Sequence, residues 1–348
     1  MTIVSDSHIL SEQTLCEHVF SHKDLSFEQT AYLFDRIIKG DMSEITLSAL
    51  LIGLKMKPEA VSEIAGAASA MRANAQAFPR PDYAFSDIVG TGGDGHNTIN
   101  ISSAAAVVAA SCGVKVAKHG NRSVSSKSGS SDLFAAFGVK LDMTPQTARR
   151  CLDEANICFL AAPQYHSGIK HAMPVRTALK TRTIFNILGP LANPANPSHN
   201  MLGVYSPELM PQYIDALTQL GVENAYVVHG AGLDELALHG ESSMLALDNG
   251  ELSSHVLSPS DFGFTTMPLS ALVGGAPEQN KEAIEAVFNG VGSEAHTAAI
   301  AMNAAALIRL NKLAPDFKQA SDMAMASIEQ GQAMTTITQM SAISRGEA

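Results

Sequence analysis

Two prolines in the segment Phe78-Pro79-Arg80-Pro81 split this chain into two stretches with different periodicities. Proline has no backbone N–H to donate and its ring collides with the preceding turn, so no helix propagates through the segment. Ahead of it, Phe27, Ala31, Phe34, Ile37 and Ile38 recur at helical spacing. Ile45, Ala49, Leu50, Ile52 and Gly53, then Val61, Ile64, Ala65, Ala68 and Met71, continue the pattern in two further segments. Ser26 and Pro58 stand where helices often start. The expectation is a small α-helical N-terminal domain over residues 1–78, followed by a linker able to hinge.

Beyond the prolines, short apolar runs alternate with glycine-bearing turns and alanine-rich helices, which predicts a larger α/β domain with a central, mostly parallel sheet over residues 79–348. Strands are expected at Ser86 to Val89, Val114 to Ala117, Ile157 to Leu160, Met201 to Tyr205 and Ala225 to His229. Helices are expected near Ser102 to Ser111, Ser131 to Phe137, Pro145 to Ala155 and Pro207 to Leu220. Three more follow near Glu278 to Asn289, Glu294 to Leu310 and Ala320 to Gly331. Residues 166–194 break the alternation, with Lys170, Arg176, Lys180 and Arg182 preceding Gly189-Pro190 and Asn193-Pro194. That stretch reads as a helix and an irregular run that rejoins the helical domain and closes a cleft. No internal repeat or low-complexity tract is visible.

With 348 residues, 46% of them apolar, the chain can bury the core of two unequal domains. A formal charge of −11, no Trp and no long basic tract argue against nucleic acid or a membrane surface as partner. No signal-like apolar core and no 18-residue apolar window is present, so a cytoplasmic protein is expected. Cys16, Cys112, Cys151 and Cys158 form no C-x-x-C pair and read as reduced, mostly buried thiols.

Against the acidic balance, Ser111 to Ser131 holds Lys115, Lys118, Arg122 and Lys127 without one Asp or Glu. This inversion of charge marks an anion site. Shortly before it lies Gly90-Thr91-Gly92-Gly93-Asp94-Gly95, a literal G-x-G-x-x-G. A dinucleotide site would open its helix at the third glycine and place an acid after the next strand. Here His96-Asn97-Thr98-Ile99-Asn100 intervenes, and the next strand ends in Lys118-His119. The loop is instead either a phosphate cradle, with Ser102 and Ser103 opening the following helix, or a tight turn capped by one of those serines. The serine-rich run Ser123 to Ser131 is a solvated loop or a set of phosphate donors, and Asp132 an N-cap. Asp234 and Glu235, after the strand ending at His229, are either solvated or metal-binding. Arg176 is a surface cation or a partner for a carboxylate.

Taken together, these pieces closely resemble the anthranilate phosphoribosyltransferases of tryptophan biosynthesis. The likeness rests on Gly90-Thr91-Gly92-Gly93-Asp94, Asn100-Ile101-Ser102-Ser103, Lys118-His119-Gly120-Asn121-Arg122, Ser128-Gly129-Ser130, the run Arg182 to Leu191 and Asp234-Glu235. Ser131 and Ala231 depart from the usual pattern. The resemblance implies transfer of a phosphoribosyl group from 5-phosphoribosyl 1-diphosphate to anthranilate, with release of pyrophosphate. It implies a donor site of Gly90, Gly93, Asp94, Thr98, Asn100, Ile101, Ser102, Ser103, Lys118, His119, Gly120, Asn121, Arg122, Ser123, Val124, Ser125, Ser126 and Ser130. Anthranilate would meet Gly90, His119, Asn121, Arg176 and Pro190, with Lys118, Asn121 and Arg176 as the catalytic set. Two Mg²⁺ per subunit would be held through Ser102, Asp234 and Glu235, and a homodimer would form through the helical domain. A pyrimidine nucleoside phosphorylase of related fold is the alternative, and a dinucleotide-dependent oxidoreductase a more distant one.

Overall fold

The computed structural model describes residues 10–122 and 128–347. Four helices precede the prolines: α1 (Glu12–Phe20), α2 (Phe27–Lys39), α3 (Glu44–Met56) and α4 (Val61–Ala73). Ser26 and Gln29 cap α2 reciprocally, Ser26 Oγ accepting from Gln29 N at 3.2 Å and Gln29 Oε1 from Ser26 N at 2.9 Å. Helix α4 does not start at Pro58. Glu63 reaches back to accept the Ala60 N–H at 2.8 Å, and this carboxylate fixes the start at Val61. Helix α1, which buries Leu15, Cys16 and Val19, has no counterpart among the helices expected from the sequence.

After the prolines come β1 (Ser86–Gly90), α5 (Ile101–Ser111), β2 (Val116–Gly120), α6 (Ser130–Ala136), α7 (Pro145–Ala155) and β3 (Ile157–Ala161). The irregular stretch holds α8 (Ala162–Tyr165), α9 (Met173–Leu179) and α10 (Phe185–Leu188). Then follow β4 (His199–Gly203), α11 (Leu209–Gln219), β5 (Asn224–Gly230), β6 (Ser242–Asp248) and β7 (Glu251–Leu257). Helices α12 (Pro277–Phe288), α13 (Glu294–Leu310), α14 (Phe317–Glu329) and α15 (Gln332–Arg345) finish the chain.

The seven strands form one sheet in the order β3-β2-β1-β4-β5-β6-β7. The first five run parallel, and β6 and β7 add an antiparallel hairpin that the sequence reading does not include. Because β1 pairs with β2 on one side and β4 on the other, the strand order reverses there. Such a reversal opens a crevice at the carboxyl ends of the strands. One face of the sheet packs on α5, α7, α13 and α15. On the other, Leu202 and Val227 share a core with Leu33, Phe34 and Leu50 of the helical bundle, and Val175, Phe185 and Leu188 fill the space between. Each such fully buried side chain contributes roughly 1.5–3 kcal/mol, so the irregular stretch cements bundle to sheet. Among the described residues no helix is long and apolar enough to cross a membrane, and all four cysteines are unpaired.

Candidate active site

The acidic turn after β5 lies directly over the ends of β1 and β4. A Cβ on Gly203 would fall 1.6 Å from the Asp234 carbonyl oxygen, and one on Gly90 2.1 Å from Asp234 Oδ2. Only hydrogen fits at either position, so these glycines let the turn settle onto the strands. Asp234 Oδ2 accepts from Gly92 N at 2.6 Å, and Glu235 Oε1 from Ser102 N at 2.9 Å. The glycine loop and the first turn of α5 are thereby tied to adjacent carboxylates.

Both acids are half-buried rather than solvated. Burial first, then the neighbouring Asp94, pushes the Asp234 carboxyl up, while burial and Asp234 do the same to Glu235. The N–H bonds from Gly92 and Ser102 offset this only in part. Crowded carboxylates with raised pKa values are sites for a compensating cation. Among the described residues no three His, Cys, Asp or Glu side chains converge as a closed metal cage. Mg²⁺ commonly takes one or two carboxylates and completes its shell with phosphate and water, so this donor set fits it.

Lys118 is placed differently from the sequence reading, which puts it just past a strand. β2 runs through to Gly120, so Lys118 points inward, 2% exposed, and its Nζ donates to the Ile88 carbonyl oxygen beneath the loop. Burial lowers its pKa, opposed by Asp87, Glu235 and Asp234, which places one buried cation among three acids. Asp87 is fully buried and accepts from Asn193 Nδ2 at 2.8 Å and His119 N at 3.2 Å. Desolvation pushes its carboxyl up to about 6, against the pull of Lys118.

The other donor candidates lie on the glycine loop, the start of α5, the end of β2 and the start of α6. Asp94 accepts from His96 N at 3.2 Å, and Thr98 bridges to Val273. Asn100 precedes α5, while Ser102 and Ser103 occupy its second and third positions, so neither serine is the N-cap. Ile101 turns its side chain into the core, and its N–H goes to Ile99 O at 2.8 Å. Gly120 leaves room for Ser130, whose Oγ donates to Asn121 O at 3.2 Å. Arg122 is exposed, and its N–H is taken by Asn121 Oδ1 at 2.7 Å. Asp132 is not an N-cap but the third residue of α6, accepting from Gly129 N at 2.9 Å. The expectations on Ser123, Val124, Ser125 and Ser126 lie outside the described residues.

The acceptor candidates are carried by α9, the 3₁₀ turn after α10 and β2. Arg176 on α9 stacks its guanidinium 5.0 Å from the Phe185 ring centroid and donates to Met173 Sδ at 3.8 Å. Burial lowers its pKa. Pro190 is buried in a 3₁₀ turn after α10. His119 faces His166 edge-on at 5.2 Å, and the Nε2 atoms of both are buried with no hydrogen-bond partner. Desolvation holds His119 well below its usual range and lowers His166 to about 4, so both rings are neutral.

Two residues without a role in the sequence reading support this cleft. Arg182 donates to Gly93 O at 2.9 Å and stacks on Tyr205 at 4.5 Å, linking the irregular stretch to the glycine loop. Asn303, 1% exposed in α13, accepts from Leu236 N at 3.0 Å and donates to Leu236 O at 3.1 Å, clamping the chain next to Glu235. A lone amide in the alanine-rich run Ala301-Met302-Asn303-Ala304 is its available signal.

Comparison with known proteins agrees with this architecture. Residues 13–75 match the helical bundle domain of a glycosyl transferase family, and residues 82–334 its a/b domain. An anthranilate phosphoribosyltransferase of Tolumonas auensis is 52% identical over 331 residues, covering 95% of this chain and 98% of that protein. The crystal structure of anthranilate phosphoribosyltransferase from Thermus thermophilus superposes with a TM-score of 0.90 at 36% identity, covering 95% of this chain and 99% of that one. The Saccharomyces cerevisiae enzyme in complex with PRPP and Mg gives 0.88 at 29% identity, with 97% and 100% covered.

Proposed function

This chain belongs to the anthranilate phosphoribosyltransferase family, and from that premise we propose which of its residues perform the transfer. The reaction moves the phosphoribosyl group of 5-phosphoribosyl 1-diphosphate (PRPP) onto the amine of anthranilate, with release of pyrophosphate, in tryptophan biosynthesis. The phosphorylase alternative is not favoured by these relatives.

The donor lies along the ends of β1, β2 and β4. Loop N–H groups from Gly90 to Asp94, the first turn of α5 and, among the described residues, Asn121, Arg122 and Ser130 receive its phosphates. The observation that carries this reading is the convergence of Asp234, Glu235 and buried Lys118 under the glycine loop. Asp234, Glu235 and Ser102 hold Mg²⁺, two ions per subunit in our reading. When bound, the metal supplies positive charge to phosphate oxygens.

The anthranilate nitrogen forms a bond to the anomeric carbon as the carbon–oxygen bond to diphosphate breaks. The electron pair leaves with pyrophosphate, and the proton of the new secondary ammonium passes to solvent when the site reopens. Charge builds on the leaving oxygens, so Lys118 and the loop N–H groups act by electrostatic preorganisation. Arg176 takes the anthranilate carboxylate, while Asn121, His119 and Pro190 hold the ring in line with the anomeric carbon. His119 and His166, held neutral by burial, are not strong bases. Closure of the helical domain, residues 1–78 with part of 166–194, over the α/β domain, residues 79–348, excludes water.

Ile45 and Met56 of α3, 85% and 69% exposed, and Phe20 of α1 form the apolar face for a homodimer, which sedimentation would test. A cytoplasmic location follows from the biosynthetic role. The decisive assay mixes the protein with PRPP, anthranilate and Mg²⁺ and follows the loss of anthranilate fluorescence. Each component is then omitted in turn; a signal that persists without PRPP would overturn the reading.

A further inference from the structure

Asparagine is among the best N-cap residues, because its side-chain oxygen accepts an N–H from the first turn of the helix it precedes. Asn100 precedes α5 and makes no such bond. Its Nδ2 donates to Ser128 O at 3.0 Å, and its Oδ1 accepts from Ser128 Oγ at 3.1 Å and from Asn280 Nδ2 at 2.9 Å. Asn280 lies nearly two hundred residues along the chain, on α12, and is 2% exposed. Its orientation is not arbitrary. Gly275 N donates to Asn280 Oδ1 at 2.7 Å, which leaves only the NH₂ group to face Asn100. The Ser128 carbonyl fixes the Asn100 amide in the same way.

We propose that Asn280 is a positioning residue for the donor site, holding the Asn100 side chain away from the first turn of α5. The N–H groups of that turn are thereby reserved for Glu235, which takes the one on Ser102, and for donor phosphate. Without Asn280, Asn100 keeps only its two bonds to Ser128, and its Oδ1, relieved of one donor, can turn towards the first turn of α5 and cap it in competition with both. The proposal rests on the assignment of this helix end to the donor, and it adds a residue that no motif in the first two thirds of the chain contains.

Asn280→Asp separates this role from a merely structural one. It keeps the volume and still accepts from Gly275, but it sets an oxygen against Asn100 Oδ1. We expect the PRPP KM to rise roughly ten-fold, the worth of one buried hydrogen bond, with kcat at saturating donor within about two-fold and the anthranilate KM unchanged. Asn280→Ser, which is too short to reach Asn100, is expected to do the same and guards against unfolding by a buried acid. The double variant with Asn100→Ala should be no worse than Asn100→Ala alone, because the two residues act through one path. A wild-type PRPP KM in Asn280→Asp, or losses that multiply in the double variant, would overturn the proposal. Unfolding of both single variants would assign Asn280 to the fold alone and overturn it too. Failure of the underlying reading looks different, since the wild-type protein itself would not bind PRPP in a calorimetric titration.

Discussion

The two walls of the cleft are held by different physics. On the donor wall, polar groups are engaged with one another: Gly92 N–H with Asp234, Ser102 N–H with Glu235, and the Asn100 amide with Ser128 and Asn280. On the acceptor wall, Arg176 rests on Phe185 and Met173 with no ion-pair partner among the described residues, and two buried imidazoles keep Nε2 atoms without a partner. The first wall is preformed and stores electrostatic tension in its acids. The second leaves that polar capacity unspent among the described residues, which is what the acceptor role we propose for it requires.

The sharpest way to break this contrast is to remove the tension. Asp234→Asn with Glu235→Gln should lower turnover by about a thousand-fold or more through loss of metal and donor binding. Near-wild-type rates at limiting Mg²⁺ would refute it. Gly203→Ala forces the Asp234 carbonyl to move, and displacement of reacting groups by about 1 Å costs on the order of a hundred-fold in rate. The loss should appear in kcat and donor KM, with the anthranilate KM preserved.

Arg176→Ala tests the opposite wall. Loss of one charge-assisted hydrogen bond should raise the anthranilate KM roughly ten- to a hundred-fold and leave the donor KM alone. An effect confined to the donor would dissolve the distinction between the walls.

The smallest effect is thermal. Asp234 and Glu235 have folded pKa values above their unfolded ones, so their contribution to stability is complete below the ordinary carboxylate range and fades as pH rises. Without Mg²⁺, Tm should fall by a few degrees (roughly 2–4 °C per kcal/mol for a large domain) from about pH 4 to above neutrality. Added Mg²⁺ should restore it increasingly as pH rises. A Mg²⁺-induced shift that is equal at pH 5 and pH 8 would show that these carboxyls do not bind it.

Much of the donor wall is legible in the sequence because it is built from contiguous runs, Gly90 to Asp94 and Lys118 to Arg122, whose glycines and charges announce themselves. The depth of Lys118 is not, since β2 extends three residues past its apolar run and carries the lysine inward. The roles of Asn280 and Asn303 are hidden for another reason. Asn280 stands beside Gln279 in a polar helix start and Asn303 in an alanine-rich run, and the partner of each, Asn100 or Leu236, is brought to it only by the fold. The β6–β7 hairpin does have a signal: Asn249-Gly250, with φ of 49° and 85°, is the turn pair that right-twisted strands favour. Glu251, the two serines and His255 of β7, exposed along nearly its whole length, hide the strand that follows. The start of α4 is misplaced by the sequence reading because proline at a helix entrance is common, whereas the buried Glu63 that sets it acts from inside the helix.

Arg72 of α4 donates to Leu191 O at 2.6 Å, and two residues on Asn193 bonds Asp87 at the foot of β1. Three residues of chain therefore fasten bundle and sheet together beneath the strand ends that carry Lys118 and His119. Heat should not melt the bundle ahead of the sheet; a single calorimetric peak is the expected trace, with any opening of the mouth a tilt about this rivet.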